Sequence, residues 1–338
     1  MIVKKILIIM AKKKNYKKNN PKRKSGDVNK DFQKPELMIG GQAVIEGVLM
    51  RTKQRYAVAV RKPDGSIVIK KARYISKTQQ NKFLGLPFIR GIIILVETMI
   101  LGYKALTFSA AQQVERLEEK ERASKKSGGV QKKDSGVLGT FELIITFVFS
   151  VGFAVLLFKF VPLLIASLLK ERLGGSNLLF NLVDGLAKFI ILVLYILAIS
   201  LMKDVRRVFE YHGAEHKTVY CYEANKSLTL RNVRKESKAH PRCGTTFILV
   251  VILLSILFYL LIPFNMNFWL KLLIRVLFLP VIAGLAYEWI KISSKHPHRI
   301  YSRVLAAPGL LIQRLTTREP DNKQIEVAIR ALKNVIKD

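Results

Sequence analysis

Residues 141–169, FELIITFVFSVGFAVLLFKFVPLLIASLL, decide the fold class, because this apolar run contains only two charged residues, Glu142 and Lys159. A helix needs about 20 apolar residues to cross the hydrocarbon core of a bilayer. The run therefore predicts a transmembrane helix. Three more apolar runs follow, and we expect one span in each of residues 182–202, 246–264 and 268–290. The sequence thus predicts a mainly α, polytopic integral membrane protein.

Two apolar segments are interrupted by charges. Residues 86–110 contain three charged residues and have basic segments on both sides, so we expect an interfacial, re-entrant or buried helix rather than a span. Residues 86–133 are then a membrane-associated helix followed by a charged linker. The run at 268–290 is still predicted to span, although its charges must reach the interface or be paired. These charges are Lys271, Arg275 and Glu288.

The basic residues are concentrated in a few segments. The chain has 57 Lys and Arg against 24 Asp and Glu, a net charge of +33, although half of its residues are apolar. Residues 1–34 contain twelve Lys and Arg and residues 203–245 contain ten, whereas residues 170–181 contain two and residues 265–267 none. Loops rich in Lys and Arg stay in the cytoplasm. We therefore expect a multi-pass protein with residues 203–245 and both termini on the cytoplasmic side.

Residues 1–39 are predicted to be a disordered basic tail. The tail contains few aromatic residues, so the base stacking that single-stranded nucleic acid requires is missing. We expect the partner to be the lipid bilayer, with anionic lipid at the tail. Tethering of nucleic acid is a less favoured alternative.

The remaining segments predict a small β element and C-terminal helices. Residues 56–61 and 66–70 alternate around the turn Lys62-Pro63-Asp64-Gly65, which is typical of a β-hairpin within residues 40–80, with residues 40–50 as a possible partner. Behind Pro320, apolar residues recur at helical spacing and predict cytoplasmic amphipathic helices in residues 293–338. They are Ile325, Ala328, Ile329, Leu332, Val335 and Ile336.

The loop between the second and third spans, residues 203–245, carries the candidate chemistry. His212, Glu215 and His216 form the pattern H-x-x-E-H, and His240 with Cys243 forms H-x-x-C. On a helix that continues from the second span, His212 and His216 lie one turn apart, so both imidazoles point the same way. A turn that supplies His240 and Cys243 would complete a tetrahedral nitrogen and sulfur site. Such a donor set suits zinc better than magnesium or calcium.

Three interpretations of this pattern are open. In the first, it is an inverted zincin motif in which Glu215 is the general base and the third ligand is His240, Cys243 or the distant Glu288. In the second, the two pairs close a structural zinc site. In the third, they are ordinary surface residues, and Gly213 weakens the helix that the geometry needs. Two histidines after the fourth span are reserve ligands, His296 and His298.

Two other acidic residues lie in apolar stretches, where an unpaired buried carboxylate is costly. Glu46 either forms a salt bridge with Arg51 or, together with Gln42, approaches the metal loop as a candidate catalytic residue. For Glu97 we favour a salt bridge with a cation of its own segment.

Four separated motifs resemble the YqhQ-like bacterial membrane proteins. They are GGQAVIEGVLMR from Gly40, YHGAEHK from Tyr211, HPRCGT from His240 and QRLTTREP from Gln313. The resemblance runs from about Gly40 to the C-terminus. It implies a bacterial cell membrane protein and a predicted metal-dependent enzyme, without naming a reaction.

The sequence therefore favours a membrane-embedded zinc hydrolase acting at the cytoplasmic face, with an unknown substrate. A non-enzymatic membrane scaffold or regulator with structural zinc is the alternative. Neither a phosphate-binding glycine loop nor a dinucleotide fingerprint is present in the sequence.

Overall fold

The computed structural model describes residues 39–125, 140–240, 243–263, 265–295 and 300–336. The predicted tail before Ile39, the linker at 126–139 and the reserve ligands His296 and His298 lie outside these ranges. Within them the protein is mainly helical, with one small antiparallel sheet near the N-terminus, as the sequence predicts.

Twelve α-helices form the described chain, together with a π-helical turn at Leu156–Phe160 and a 3₁₀ turn at Glu171–Leu173. The first six are α1 (Lys77–Gln80), α2 (Ile89–Lys125), α3 (Thr140–Val155), α4 (Val161–Leu168), α5 (Asn177–Ser200) and α6 (Lys203–Glu223). The others are α7 (Leu230–Arg234), α8 (Gly244–Tyr259), α9 (Phe268–Leu277), α10 (Leu279–Lys295), α11 (Ile300–Thr316) and α12 (Asn322–Ile336).

The β element is larger than the predicted hairpin. Four antiparallel strands pair in chain order, namely β1 (Gly40–Val44), β2 (Gly47–Arg51), β3 (Arg55–Arg61) and β4 (Ile67–Arg73). The predicted hairpin is β3 with β4, which closes through Gly65 at a φ of +90°. Strands β1 and β2 form a second hairpin that pairs with β3 through β2.

Helices cover both faces of the sheet, because side chains alternate along a strand. One face packs on α6 and α12, with Met50, Ala59 and Tyr211 among the buried residues of this contact. The other packs on Leu101 and Ala105 of α2. The apolar residues that recur behind Pro320 form the buried face of α12, so this helix uses its amphipathic pattern to cover the sheet.

Three helical stretches of the described chain are long and apolar enough to cross a membrane, namely Ile89–Val114, Ile145–Leu168 and Asn177–Ser200. A fourth is possible if Phe268–Leu277 and Leu279–Ser293, which are bent by 42°, act as one span. These helices indicate a membrane protein.

The set differs from the predicted spans in two places. The run at 246–264 forms α8, whose 16 residues give a length of about 24 Å, less than the hydrocarbon thickness of about 30 Å. Residues 89–114, for which the sequence favours a helix that does not span, meet the criteria of length and composition. Two of their three charges have partners, since Arg90 binds Glu288 of α10 and Glu97 accepts three hydrogen bonds. The third, Lys104, is exposed.

Candidate metal centre

Helix α6 carries the H-x-x-E-H pattern and continues through Gly213 without a break. A Cβ at this position would lie 2.1 Å from the carbonyl oxygen of Arg318. The Arg318 N–H in turn donates to the carbonyl oxygen of Phe209 at 2.9 Å. Gly213 therefore lets the segment after α11 lie directly on α6, and this close packing offsets the low helix propensity of glycine, which costs about 1 kcal/mol.

Three of the four predicted metal ligands converge. One ligand atom from each of His212, His216 and Cys243 lies within 4.8 Å of the other two. The Sγ atom of Cys243 is 3.2 Å from Nε2 of His212, and the centroids of the two imidazole rings are 4.4 Å apart. Cys243 occupies the N-cap of α8, so the group joins α6 to the start of this apolar helix.

Backbone carbonyls orient both imidazoles of this group. Nδ1 of His212 lies 2.9 Å from the carbonyl oxygen of Thr316, and Nδ1 of His216 lies 2.6 Å from that of Lys238. A carbonyl oxygen only accepts, so Nδ1 carries the proton and Nε2 keeps its lone pair in the neutral ring. Burial also lowers the pKa of His216, which favours the neutral form that can bind a metal.

His240, the fourth predicted ligand, lies beside this group but does not belong to it. Its Nε2 is 3.3 Å from Oε2 of Glu223, and its ring centroid is 4.5 Å from that of Tyr220. Gln313 fixes its backbone, because the side-chain amide accepts from His240 N–H at 2.7 Å and donates to the His240 carbonyl at 2.8 Å. His240 therefore helps to shape the turn that delivers Cys243.

Glu215 is buried between α6 and the sheet. Its side chain is packed against Gly41 of β1, where a Cβ would lie 2.5 Å from Oε1. The other oxygen, Oε2, lies 3.4 Å from Nε2 of His216. Burial raises the pKa of this carboxyl group. A carboxyl group here can exchange a proton with a molecule bound next to His216.

Glu46 contacts α6 rather than the converging ligands. It forms a two-point ion pair with Arg207 and accepts a hydrogen bond from the Tyr211 hydroxyl at 3.2 Å. The partner is thus Arg207 and not the expected Arg51. Gln42 points away from α6, since its amide lies against Gly102 of α2.

The other acidic candidates have partners elsewhere. Glu97 accepts hydrogen bonds from the hydroxyls of Tyr74 and Ser76 and from the N–H of Lys77, instead of forming the predicted salt bridge within its own segment. Glu288, the distant candidate ligand, is bound by Arg90, whose Nε lies 2.6 Å from Oε1.

Four residues that orient the His/Cys group and Glu215 are not indicated by the sequence. Thr316 and Lys238 act through backbone carbonyls, which no residue type reveals, while Gly41 and Gln313 act through side-chain size and hydrogen bonding. The motifs that start at Gly40 and Gln313 contain three of them, Gly41, Gln313 and Thr316. Because they are far from His212 in the sequence, their contacts with the site could not be predicted.

Residues 86–338 match the model of a family described as "Protein of unknown function (DUF1385)". The chain belongs to this family. It is also 36% identical over 304 residues to "Uncharacterized protein YqhQ" of Bacillus subtilis (strain 168), covering 88% of this chain and 92% of the relative. No solved structure matches. The YqhQ-like resemblance is therefore confirmed. Neither description names a metal or a reaction, so the metal-dependent enzyme that the resemblance implies is a proposal.

Proposed function

We propose that this protein is a membrane-anchored, metal-dependent hydrolase in which His212, His216 and Cys243 hold Zn²⁺. The observation that carries the proposal is the convergence of their three ligand atoms within 4.8 Å of one another. Two imidazole nitrogens and a thiolate are donors that zinc prefers. Since Nδ1 of each imidazole faces a carbonyl oxygen, each ring would bind the metal through Nε2.

The number of ligands favours a catalytic site. Three protein ligands leave one position of a tetrahedral site open, whereas structural zinc sites are closed by four protein ligands. A bound Zn²⁺ supplies a Lewis acid that activates water at neutral pH. Glu215 is the residue best placed to accept a proton from that water, because its Oε2 lies 3.4 Å from His216 Nε2 and Gly41 leaves room for its side chain.

A structural zinc site is the second candidate, and burial favours it. His216 is 2% exposed and Cys243 is 8% exposed, so the group is largely closed to solvent. Zinc at this position would join α6 to the start of α8 and would hold the cytoplasmic part of the chain on its apolar helices. The protein would then be a scaffold or regulator.

Metal analysis of the purified full-length protein is the first test. We expect about one zinc per chain in the wild type, as in other three-ligand sites. His212→Ala, His216→Ala and Cys243→Ala should each lose it. His240→Ala is the matched control and should retain it, because its imidazole is directed to Glu223. A wild-type protein without stoichiometric zinc would contradict both candidates.

Glu215→Gln separates the two candidates. Hydrolysis of p-nitrophenyl phosphate, bis(p-nitrophenyl) phosphate and p-nitrophenyl acetate should be measured with zinc-loaded protein. Loss of the general base should slow the hydrolysed probe by about 10²- to 10⁴-fold with zinc retained. Glu46→Gln is the control and should change the rate only slightly, since Glu46 binds Arg207. Zinc-loaded wild type that hydrolyses none of the probes would favour the structural site.

The cytoplasmic placement of the site is part of the proposal and rests on the basic residues of the 203–245 segment. Lys235→Cys and Asn265→Cys place exposed thiols on the two sides that we propose. A membrane-impermeant maleimide added to intact cells should label the second and not the first. Labelling of Lys235→Cys alone would invert the topology. Contact of the basic tail with anionic lipid is proposed for the same side.

A further inference from the structure

A second polar cluster, here called the cationic cluster, is buried among the apolar helices. Four elements contribute to it, namely the π-helical turn, α5, α8 and α9. Its members are all less than 8% exposed, although they lie in some of the most apolar parts of the sequence. They are Lys159, Asn181, Asp184, Lys188, Tyr259 and Arg275.

Asp184 is the carboxylate of the cationic cluster. It forms an ion pair with Lys188, one helical turn further along α5. Its Oδ1 also lies 2.8 Å from Nη1 of Arg275 on α9. Nη2 of Arg275 donates to Oδ1 of Asn181 at 2.8 Å. One carboxylate thus faces two cations that come from two different helices.

Three cationic side chains lie over the aromatic ring of Tyr259, the last residue of α8. Its hydroxyl accepts from Nζ of Lys159 at 2.8 Å and donates to the carbonyl oxygen of Arg275 at 3.2 Å. The cations of Lys159, Lys188 and Arg275 lie 5.3, 4.6 and 4.5 Å from the ring centroid. Lys159 lies in the π-helical turn, and such turns are frequent at functional sites.

The charges of the cationic cluster do not balance. Lys159, Lys188 and Arg275 face one carboxylate, Asp184, so two positive charges are in excess when all four groups are ionised. Burial of an uncompensated charge among apolar helices is expensive, and ionisable residues retained there mark binding sites or pathways. One donor is also unused, because the buried Nε of Arg275 has no hydrogen-bond partner among the residues that the structure describes.

We propose that the cationic cluster binds a phosphate-type anion, carried either by a lipid headgroup or by free inorganic phosphate. Such an anion supplies the missing negative charge and several acceptor oxygens. An Arg guanidinium beside Lys ammonium groups is a combination that recognises phosphate. The aromatic rings of Phe160, Phe268 and Trp269 pack together next to Lys159. Trp269 is 66% exposed, and tryptophan is enriched at the level of lipid headgroups.

The test uses Lys159→Met in the full-length protein. This change removes one excess cation and leaves the contacts of Asp184 with Lys188 and Arg275 in place, so the variant is expected to fold. Arg172→Gln, which removes an exposed cation outside the cationic cluster, is the matched control. Thermal unfolding and size-exclusion profiles report the folding of both variants.

Two binding experiments distinguish the sources of the anion. In the first, native mass spectrometry counts phosphatidic acid and phosphatidylcholine retained by protein from mixed nanodiscs. In the second, equilibrium dialysis in detergent measures radiolabelled inorganic phosphate. We expect wild type and Arg172→Gln to bind phosphatidic acid, inorganic phosphate or both, and Lys159→Met to bind about tenfold more weakly, which corresponds to one lost charge-assisted hydrogen bond.

Each outcome decides the proposal. Retention of phosphatidic acid alone assigns a lipid headgroup, and binding of inorganic phosphate alone assigns a free anion. Wild type that binds neither anion, or Lys159→Met that binds as tightly as wild type, would overturn the site. The zinc content of Lys159→Met should equal that of wild type, so a failure of this proposal is distinguishable from a failure of the proposed hydrolase.

Discussion

The two polar clusters of this protein lie at opposite ends of α8. Cys243, at the N-cap of this helix, belongs to the His/Cys group, and Tyr259, its last residue, belongs to the cationic cluster. Sixteen residue steps separate them, a distance of about 24 Å along the helix. The first group lies where α8 meets α6, and its two imidazoles face carbonyl oxygens. The second is surrounded by apolar helices and carries excess positive charge.

The two clusters offset the free-energy cost of burying polar side chains in different ways. In the His/Cys group, Nδ1 of each imidazole lies within hydrogen-bond distance of a backbone carbonyl oxygen, so uncharged backbone groups supply the partners. In the cationic cluster, charged side chains depend on one another, and Asp184 is the carboxylate on which Lys188 and Arg275 depend. We therefore expect single substitutions to cost much more stability in the second cluster.

The largest effect on stability is expected for Asp184→Asn, which tests whether the cationic cluster depends on its one carboxylate. The substitution keeps the side-chain size but removes the charge that compensates Lys188 and Arg275. Loss of one partner from a buried ion pair costs about 3–5 kcal/mol. We expect a large fall in the melting temperature or in the yield of monodisperse protein. Asp204→Asn, in the exposed first turn of α6, is the control and should cost less than about 1 kcal/mol.

The cost at the His/Cys end should be largest at Gln313. Its fully buried amide satisfies both the N–H and the carbonyl of His240. Gln313→Ala removes both hydrogen bonds. Loss of the partner of the buried His240 N–H costs about 1–3 kcal/mol, while the His240 carbonyl keeps the Cys243 N–H as a donor at 3.3 Å. The substitution should also lower zinc content by loosening the turn before Cys243. Gln324→Ala is a matched control, because Gln324 is equally buried but caps α12. It should lose stability and retain zinc.

Gly213→Ala tests whether close packing sets the geometry of α6. The new Cβ would lie 2.1 Å from the Arg318 carbonyl oxygen, so α6 and the segment after α11 must separate. Overpacking of this kind costs about 1–3 kcal/mol, and we expect weaker zinc binding as well. Gly152→Ala is the control, since a Cβ there meets no neighbour within 4 Å. Equal unfolding free energies for the two variants would contradict this account.

Much of the fold could be predicted, because membrane helices, alternating strands and amphipathic helices each have their own periodicity in the sequence. The hairpin at Lys62–Gly65 and the helical class followed directly. The sequence predicts residues 40–50 only as a possible partner segment of this hairpin, because glycines weaken the alternation there, and the structure forms two strands from this region. The short length of α8 could not be predicted, because the apolar run continues past Tyr259, where the helix ends.

The two clusters differ most in how visible they are in the sequence. His212 and His216 are one helical turn apart, so spacing alone brings them together, and H-x-x-C adds Cys243. The absence of His240 from the group could not be foreseen, because its direction depends on Glu223 and Gln313. The cationic cluster has no local pattern. Its members come from four elements between residues 159 and 275, and only tertiary packing brings them together.

The smallest effect on stability is expected for an ion pair between an arginine and a carboxylate that is exposed to solvent. Arg61 of β3 binds Glu326 of α12 at 2.8 Å, and the Glu326 side chain is 39% exposed. The Arg61 hydrogen bond lowers the pKa of Glu326 from its ordinary value of 4.5. A carboxyl group whose pKa is lowered by folding stabilises the fold at pH values above its unfolded-state pKa. This contribution is lost as the pH falls through the folded-state pKa. Glu326→Gln should therefore cost at most about 1 kcal/mol at neutral pH and nothing in acid, measured by denaturant unfolding at both pH values. A loss at neutral pH as large as that of Asp184→Asn would show that burial does not separate the two ion pairs.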